Sequence, residues 1–393
     1  MRNVVCVTPR HFQHLSRQVA LVFAILSHVL HVLTCLQKLA PAPKTPPDEP
    51  LAQQPPRQST STALPIRISA ASHEVSVIPR SPSPNAALGV FGQELMHQWV
   101  TETYKLLPAA SGAQLVFRDS APAAGLEFSC LQDQILTVTA YHLSYLKPQS
   151  RVAYRRQAFH HQSLAIDDLK SRLSKGVTLE NSYALLMTSA ILLLSTFAGY
   201  SEETEAAPPL DTFCDIVRQL RGIVSLGKLA HQFHQQPRGF FFHYMSMKHD
   251  FSGLADIAYQ LIAFQRQLHN VISCKEEVLG ILIRCTQALL GFMYDDQMGR
   301  TLATIELRIA FVWPLLTTDE YIKLLKARNQ GALTVLLFYC VILQKAELDC
   351  WVFSGWAKRL ADAASALITE QAWVDLAGWP LEEMERIQGK VEV

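Results

Sequence analysis

Residues 181–198 read NSYALLMTSAILLLSTFA, and this stretch decides the fold class. Apolar side chains fall on every side of a helical wheel drawn through it, and no residue in it is charged. A helix that is apolar nearly all round belongs at the centre of a protein or in a membrane. The run is short for a bilayer, which asks for about 20 apolar residues. Ser182, Thr188, Ser189, Ser195 and Thr196 also soften it. The expectation is a central buried helix with others packed around it.

Working outward, the flanking segments carry helical periodicity. Residues 151–173 place Tyr154, Ala158, His161, Ala165 and Leu169 on one side, with Arg155, Arg156, Asp167, Asp168 and Lys170 away from it. Residues 131–146 repeat apolar positions at three and four: Ile135, Val138, Tyr141 or His142, Tyr145. Residues 94–107 carry the stripe Leu95, Trp99, Thr103, Leu106. Downstream, helices are expected over 211–229, 253–268, 275–294, 302–313, 319–326, 331–344, 351–368 and 371–376. No period-two run with hairpin signals stands out. The class expected is all-α, with one large helical domain over residues 88–393.

Two segments precede that domain. Residues 40–87 hold eleven of the chain's twenty prolines, with Ser and Thr between them as in RQSTST and PRSPSP. Proline fixes φ and removes backbone donors, and the segment has little apolar surface to offset its ordering entropy. A disordered Pro/Ser-rich linker is expected there. Residues 1–39 form an N-terminal apolar helix segment, uncharged from Gln18 to Gln37 and preceded by Arg2, Arg10 and Arg17. Its length reaches the lower limit for a membrane span. A membrane-anchored helical protein using residues 18–37 is therefore the alternative reading, and His28 and His31 within the run count against it.

Across 393 residues, 49% are hydrophobic and 18% charged, which suffices for a sizeable core. The net charge of +1 gives no basic excess of the kind that marks a nucleic-acid reader. The eight cysteines (Cys6, Cys35, Cys130, Cys214, Cys274, Cys285, Cys340 and Cys350) include no C-x-x-C pair and sit in apolar stretches, so they read as reduced, buried thiols.

Catalytic and metal signatures do not assemble. Gly222-x-x-x-x-Gly227-Lys228 matches most of a phosphate loop, but Leu229 stands where Ser or Thr must hold magnesium. Ser225-x-x-Lys228 lacks the rest of its signature. His231 and His234 lie one turn apart, and His160 with His161 sit side by side in a helix, yet no diagnostic third ligand accompanies them; His243, His249 or an acid would have to serve. No enzyme is expected. Trp313, Trp351, Trp356, Trp373 and Trp379 crowd the C-terminal end, beside Phe338, Tyr339 and Phe353. They read either as an aromatic core or as the wall of an apolar ligand cavity. If there is a cavity, Phe338, Tyr339, Trp351 and Trp356 are its candidate lining.

The order of the motifs carries a resemblance. FGQELMHQWVTETYKLL (91–107), LQDQILTVTAYHLSYLKP (131–148), YRRQAFHHQSLAIDDLKSRL (154–173), the buried run 181–198 and FCDIVRQLRGI (213–223) are followed by WPLLTTDEYIKLL (313–325). ALTVLLFYCVILQKAELDCWVFSGWAKRL (332–360) and WVDLAGWP (373–380) complete the series. In this order they resemble the regulatory domain of fungal zinc-cluster transcription factors of the sterol uptake control type. The resemblance implies a nuclear transcriptional regulator, homo- or heterodimeric with related regulators, whose pocket senses a sterol or other lipid. The family's six-cysteine zinc cluster is missing from this sequence, with only Cys6 and Cys35 ahead of the linker. No zinc or other cofactor is therefore expected here, and DNA is contacted only indirectly or through a missing N-terminal module.

Overall fold

The computed structural model describes residues 84–106, 116–200, 209–233, 252–271, 275–293 and 304–391, and no strand occurs among them. The expected all-α class holds. The apolar run 18–37 and most of the expected linker lie outside the described residues.

The N-terminal group comprises α1 (Pro84–Thr101), α2 (Ala121–Gly125), α3 (Ser129–Leu146), α4 (Arg151–Lys175) and α5 (Ser182–Tyr200). The C-terminal group comprises α8 (Glu276–Met293), α9 (Ile305–Leu316), α10 (Asp319–Lys326), α11 (Gln330–Glu347), α12 (Trp356–Ser365) and α13 (Gln371–Val391). Between them in sequence lie α6 (Pro209–Phe233) and α7 (Ser252–Leu268). In the first group α3 is the hub, packed on α1, α2, α4 and α5; in the second the hub is α11, packed on α8, α9, α10, α12 and α13. α6 joins the two by touching α5 on one side and α9, α10 and α12 on the other. A single hydrophobic cluster runs through both groups.

The amphipathic expectations are met closely. The buried residues of α4 are Tyr154, Ala158, His161, Ala165 and Leu169, the stripe expected from the sequence. α5 is long and apolar enough to cross a membrane, but 78% of that window is buried inside the protein, as a central core helix requires. α1 starts at Pro84, inside the segment expected as linker, and proline suits a first helical position because its missing N–H has no intrahelical role there. Asp168 of α4 closes the start of α3, accepting from Ser129 Oγ (2.7 Å) and the Cys130 N–H (2.9 Å) while Arg172 pairs with it at 2.9 Å. Burial pushes its carboxyl up, but the Ser129 hydroxyl, Arg172 and the Cys130 amide win and hold it below the ordinary value.

Three expected boundaries are corrected. The single helix expected over 351–368 is broken: a 3₁₀ turn (Trp351–Phe353) is followed by Gly355, whose φ of 76° turns the chain before α12 begins. The helix expected to stop at residue 376 continues through Pro380 to Val391. The helix expected to end at Trp313 runs past Pro314 to Leu316.

That last overrun has a specific support. Proline at 314 cannot donate to the carbonyl of Ala310, four residues back. The Tyr339 hydroxyl of α11 donates to that carbonyl instead, at 2.6 Å. Tyr339→Phe leaves a buried acceptor without its donor. The expected loss of stability is about 1–3 kcal/mol, measured by urea unfolding; a variant as stable as the parent would show that the carbonyl finds another donor.

The C-terminal end of α5 is held from a distance. Helix ends expose carbonyls that lack intrahelical partners and carry partial negative charge. Here the carbonyl of Phe197 accepts from Trp356 Nε1 (2.8 Å), that of Gly199 from Arg155 Nη2 (2.7 Å), and that of Tyr200 from Arg359 Nη1. Trp356 and Arg359 both come from α12, so this clasp ties the central helix of one group to the other.

Candidate functional site

The four aromatic residues expected to line a cavity are distributed among separate ring clusters. Phe338 stacks on Trp379 at 5.8 Å and meets Phe264 at 5.2 Å. Its neighbour on α11, Tyr339, stacks on Trp313 at 4.6 Å and leans on Phe213 at 5.6 Å. Trp356 packs edge-on against Phe197 (5.4 Å) and Tyr200 (6.2 Å). Trp351 belongs with the N-terminal group, stacked on His142 at 5.0 Å and near Tyr145 at 5.9 Å. Phe338, Tyr339 and Trp356 are buried, at 2%, 0% and 2% exposure, and each has rings of the core against it. The structure therefore does not gather the four on one wall.

Two titratable groups, one buried and one partly buried, were not singled out as such in the sequence. His142 of α3 lies under Trp351, with its Nδ1 2.9 Å from Thr103 Oγ1. Burial lowers its pKa to about 4, against a small upward pull from Glu102. Glu347, the last residue of α11, reaches across Gly355 to the start of α12. It accepts the Ala357 N–H at 2.7 Å and the Gly355 N–H at 3.3 Å. Burial nevertheless pushes its carboxyl up to about 7. A helix start favours a carboxylate, but neither burial nor the fold-back at Gly355 is written in the local sequence.

The motif resemblances resolve differently. Gly222, Gly227 and Lys228 all sit inside the continuous helix α6, where successive N–H groups point along the axis and cannot form a phosphate nest. His161 Nδ1 meets Asp133 Oδ1 at 2.9 Å. Among the described residues no group of three or more His, Cys, Asp or Glu side chains is placed to hold a metal ion. His231 lies on α6, while His234, His243 and His249 are outside the described residues. Cys130, Cys214, Cys285, Cys340 and Cys350 are free and buried, as the sequence suggested, and burial raises each thiol above its ordinary value.

What the sequence did not reveal is a groove of about 270 Å³ between α6 and α10. α6 lines it with Cys214, Val217, Arg218 and Arg221, and α10 with Asp319, Ile322, Lys323 and Lys326. Both sets follow the i, i+3, i+4, i+7 spacing that puts residues on one helix face. Arg221 pairs with Asp319 and donates to the Thr317 carbonyl at one end, and Arg328 pairs with Asp211 at 2.8 Å at the other. The helices therefore run antiparallel, pinned at both ends with the groove between. Its floor is apolar (Cys214, Val217, Ile322) and its rim carries four cationic side chains. Asp215 lies 3.0 Å from Arg218 and 4.0 Å from Lys326, so it and Asp319 offset part of that charge.

The chain matches no protein-family model and no curated protein at a significant level.

Proposed function

We propose that this chain is the effector domain of a transcriptional regulator of the fungal zinc-cluster type, acting in the nucleus together with a DNA-bound partner. One observation carries the reading: the residues that define the ordered motifs are those that tie the helices together. Arg221, in the Leu220-Arg221-Gly222 step, bonds the Thr317 carbonyl beside α10. The Trp313 indole of the Trp-Pro pair donates to the Cys285 carbonyl at 3.0 Å. Tyr339 supplies the donor that Pro314 lacks, and Trp356 after Gly355 clasps α5. The resemblance therefore rests on residues that hold the helices together and not on scattered surface matches.

A domain of this kind needs no catalytic residues, and it meets DNA through a partner, as a homo- or heterodimer with related regulators. The family's sterol or lipid ligand would belong to this domain as well. The test is the location of the full-length protein and of a version lacking residues 1–40, both tagged at the C-terminus. Nuclear signal from both is the expected result. Membrane signal that disperses on truncation would make residues 18–37 a working anchor and replace the regulator reading.

A further inference from the structure

We propose that the groove between α6 and α10 binds a small amphiphilic organic anion, a carboxylate carried on a short hydrocarbon body. The inference rests on the groove alone and does not depend on the transcriptional reading. Its two surfaces ask for different chemistry from one ligand. The floor of Cys214, Val217 and Ile322 offers no charged group, so a hydrated inorganic ion seated there would lose water without gaining donors. An apolar body gains by covering it.

Along the rim, Arg218 and Arg221 on α6 face Lys323 and Lys326 on α10. Arg221 is committed to Asp319 and the Thr317 carbonyl, and Arg218 leans on Asp215. Lys326 stands at the 4.0 Å limit of an ion pair with Asp215. No carboxylate comes within 4.0 Å of Lys323 among the described residues; Glu320, one turn back on its own helix, is exposed and only feels the charge of Lys323 from a distance. Lys323 and Lys326, one turn apart, are therefore the cations best able to receive a carboxylate, with the hydrocarbon lying inward over Val217 and Ile322.

The size of the groove sets the size of the body. At about 270 Å³ it is smaller than the pockets of roughly 300–1,000 Å³ that take drug-sized molecules. A medium-chain carboxylate fits that description and a polycyclic lipid does not. Ion pairs tie α6 to α10 at both ends and the groove is open without a ligand, so little ordering cost is added on binding.

Calorimetric titration of the full-length protein with octanoate, octanol and inorganic phosphate tests the proposal. Octanoate is expected to bind saturably at one site, octanol about tenfold or more weakly, and phosphate not to displace octanoate. The variant carrying Lys323→Gln and Lys326→Gln should lose about tenfold or more in octanoate affinity, with its thermal midpoint unchanged because both side chains are exposed. The charge-retaining variant Lys323→Arg, Lys326→Arg should keep parental affinity. Absence of saturable octanoate binding, equal affinity for octanol, displacement by phosphate, or unchanged affinity in the glutamine variant would each overturn the assignment.

Discussion

Replacing Trp356 with alanine is expected to cost about 3–5 kcal/mol of folding stability, the range for truncating a large buried aromatic side chain. The indole is 2% exposed and packs on Phe197 and Tyr200, and its N–H supplies the Phe197 carbonyl at the end of α5. The alanine variant loses both the packing and the clasp. Trp356→Phe separates them: it keeps a ring against Phe197 but leaves the carbonyl without its donor, so an intermediate loss of about 1–3 kcal/mol is expected. Urea unfolding monitored by far-ultraviolet circular dichroism reads both. A loss below about 1 kcal/mol in the alanine variant would mean that the side chain does not fill the core. Trp356 would then return to the ligand-cavity reading that the sequence alone left open.

The second large effect is a pair of opposed pH dependences. Glu347 has a folded pKa of about 7 against an ordinary value of 4.5, so the folded state holds its proton more tightly than the unfolded chain does. The corresponding stability is fully present below pH 4.5 and is lost as pH rises to about 7. His142 behaves in the opposite sense. Its folded pKa of about 4 lies below the ordinary 6.5, so its contribution is complete above pH 6.5 and is lost as pH falls to about 4. Each window corresponds to roughly 3 kcal/mol, and between pH 4.5 and 6.5 the two slopes cancel in the parent.

Single variants expose them. Relative to the parent, Glu347→Gln should gain about 3 kcal/mol between pH 4.5 and 7, because over that range the parent's unfolded chain is favoured by ionising its carboxyl while the folded state keeps the proton. His142→Gln should gain a similar amount relative to the parent as pH falls from 6.5 to 4. Denaturant midpoints at a series of pH values measure both. Variant curves that run parallel to the parent would show that neither group is buried in the ionisation state described.

These effects illustrate what the sequence could and could not disclose. The position of α5 was legible because 181–198 has no polar face to offer water, and the buried face of α4 was legible because its stripe repeats five times without a break. The break before α12 was not. Val352, Phe353 and Trp356 fit a helical stripe, and a lone glycine inside such a pattern is ambiguous until its φ is known. The passage of α9 through Pro314 was equally hidden, since the donor that permits it, Tyr339, lies on another helix. The same holds for the groove. Its two walls each show helical spacing, but Arg221 and Asp319 are 98 residues apart and no local pattern pairs them. The four aromatic candidates show the converse: they are near one another in sequence, and the fold sends their rings to separate clusters.

A tethering assay reads the proposed action of this helical domain on transcription. The full-length chain is fused to a heterologous DNA-binding domain and directed to a reporter gene with measurable basal output, in the parent form and with Trp356→Ala as a folding-impaired control. The parent fusion is expected to move reporter output, up or down, and the control fusion to leave it unchanged. Reporter output unchanged by a parent fusion shown to be nuclear and bound at the promoter would rule that action out.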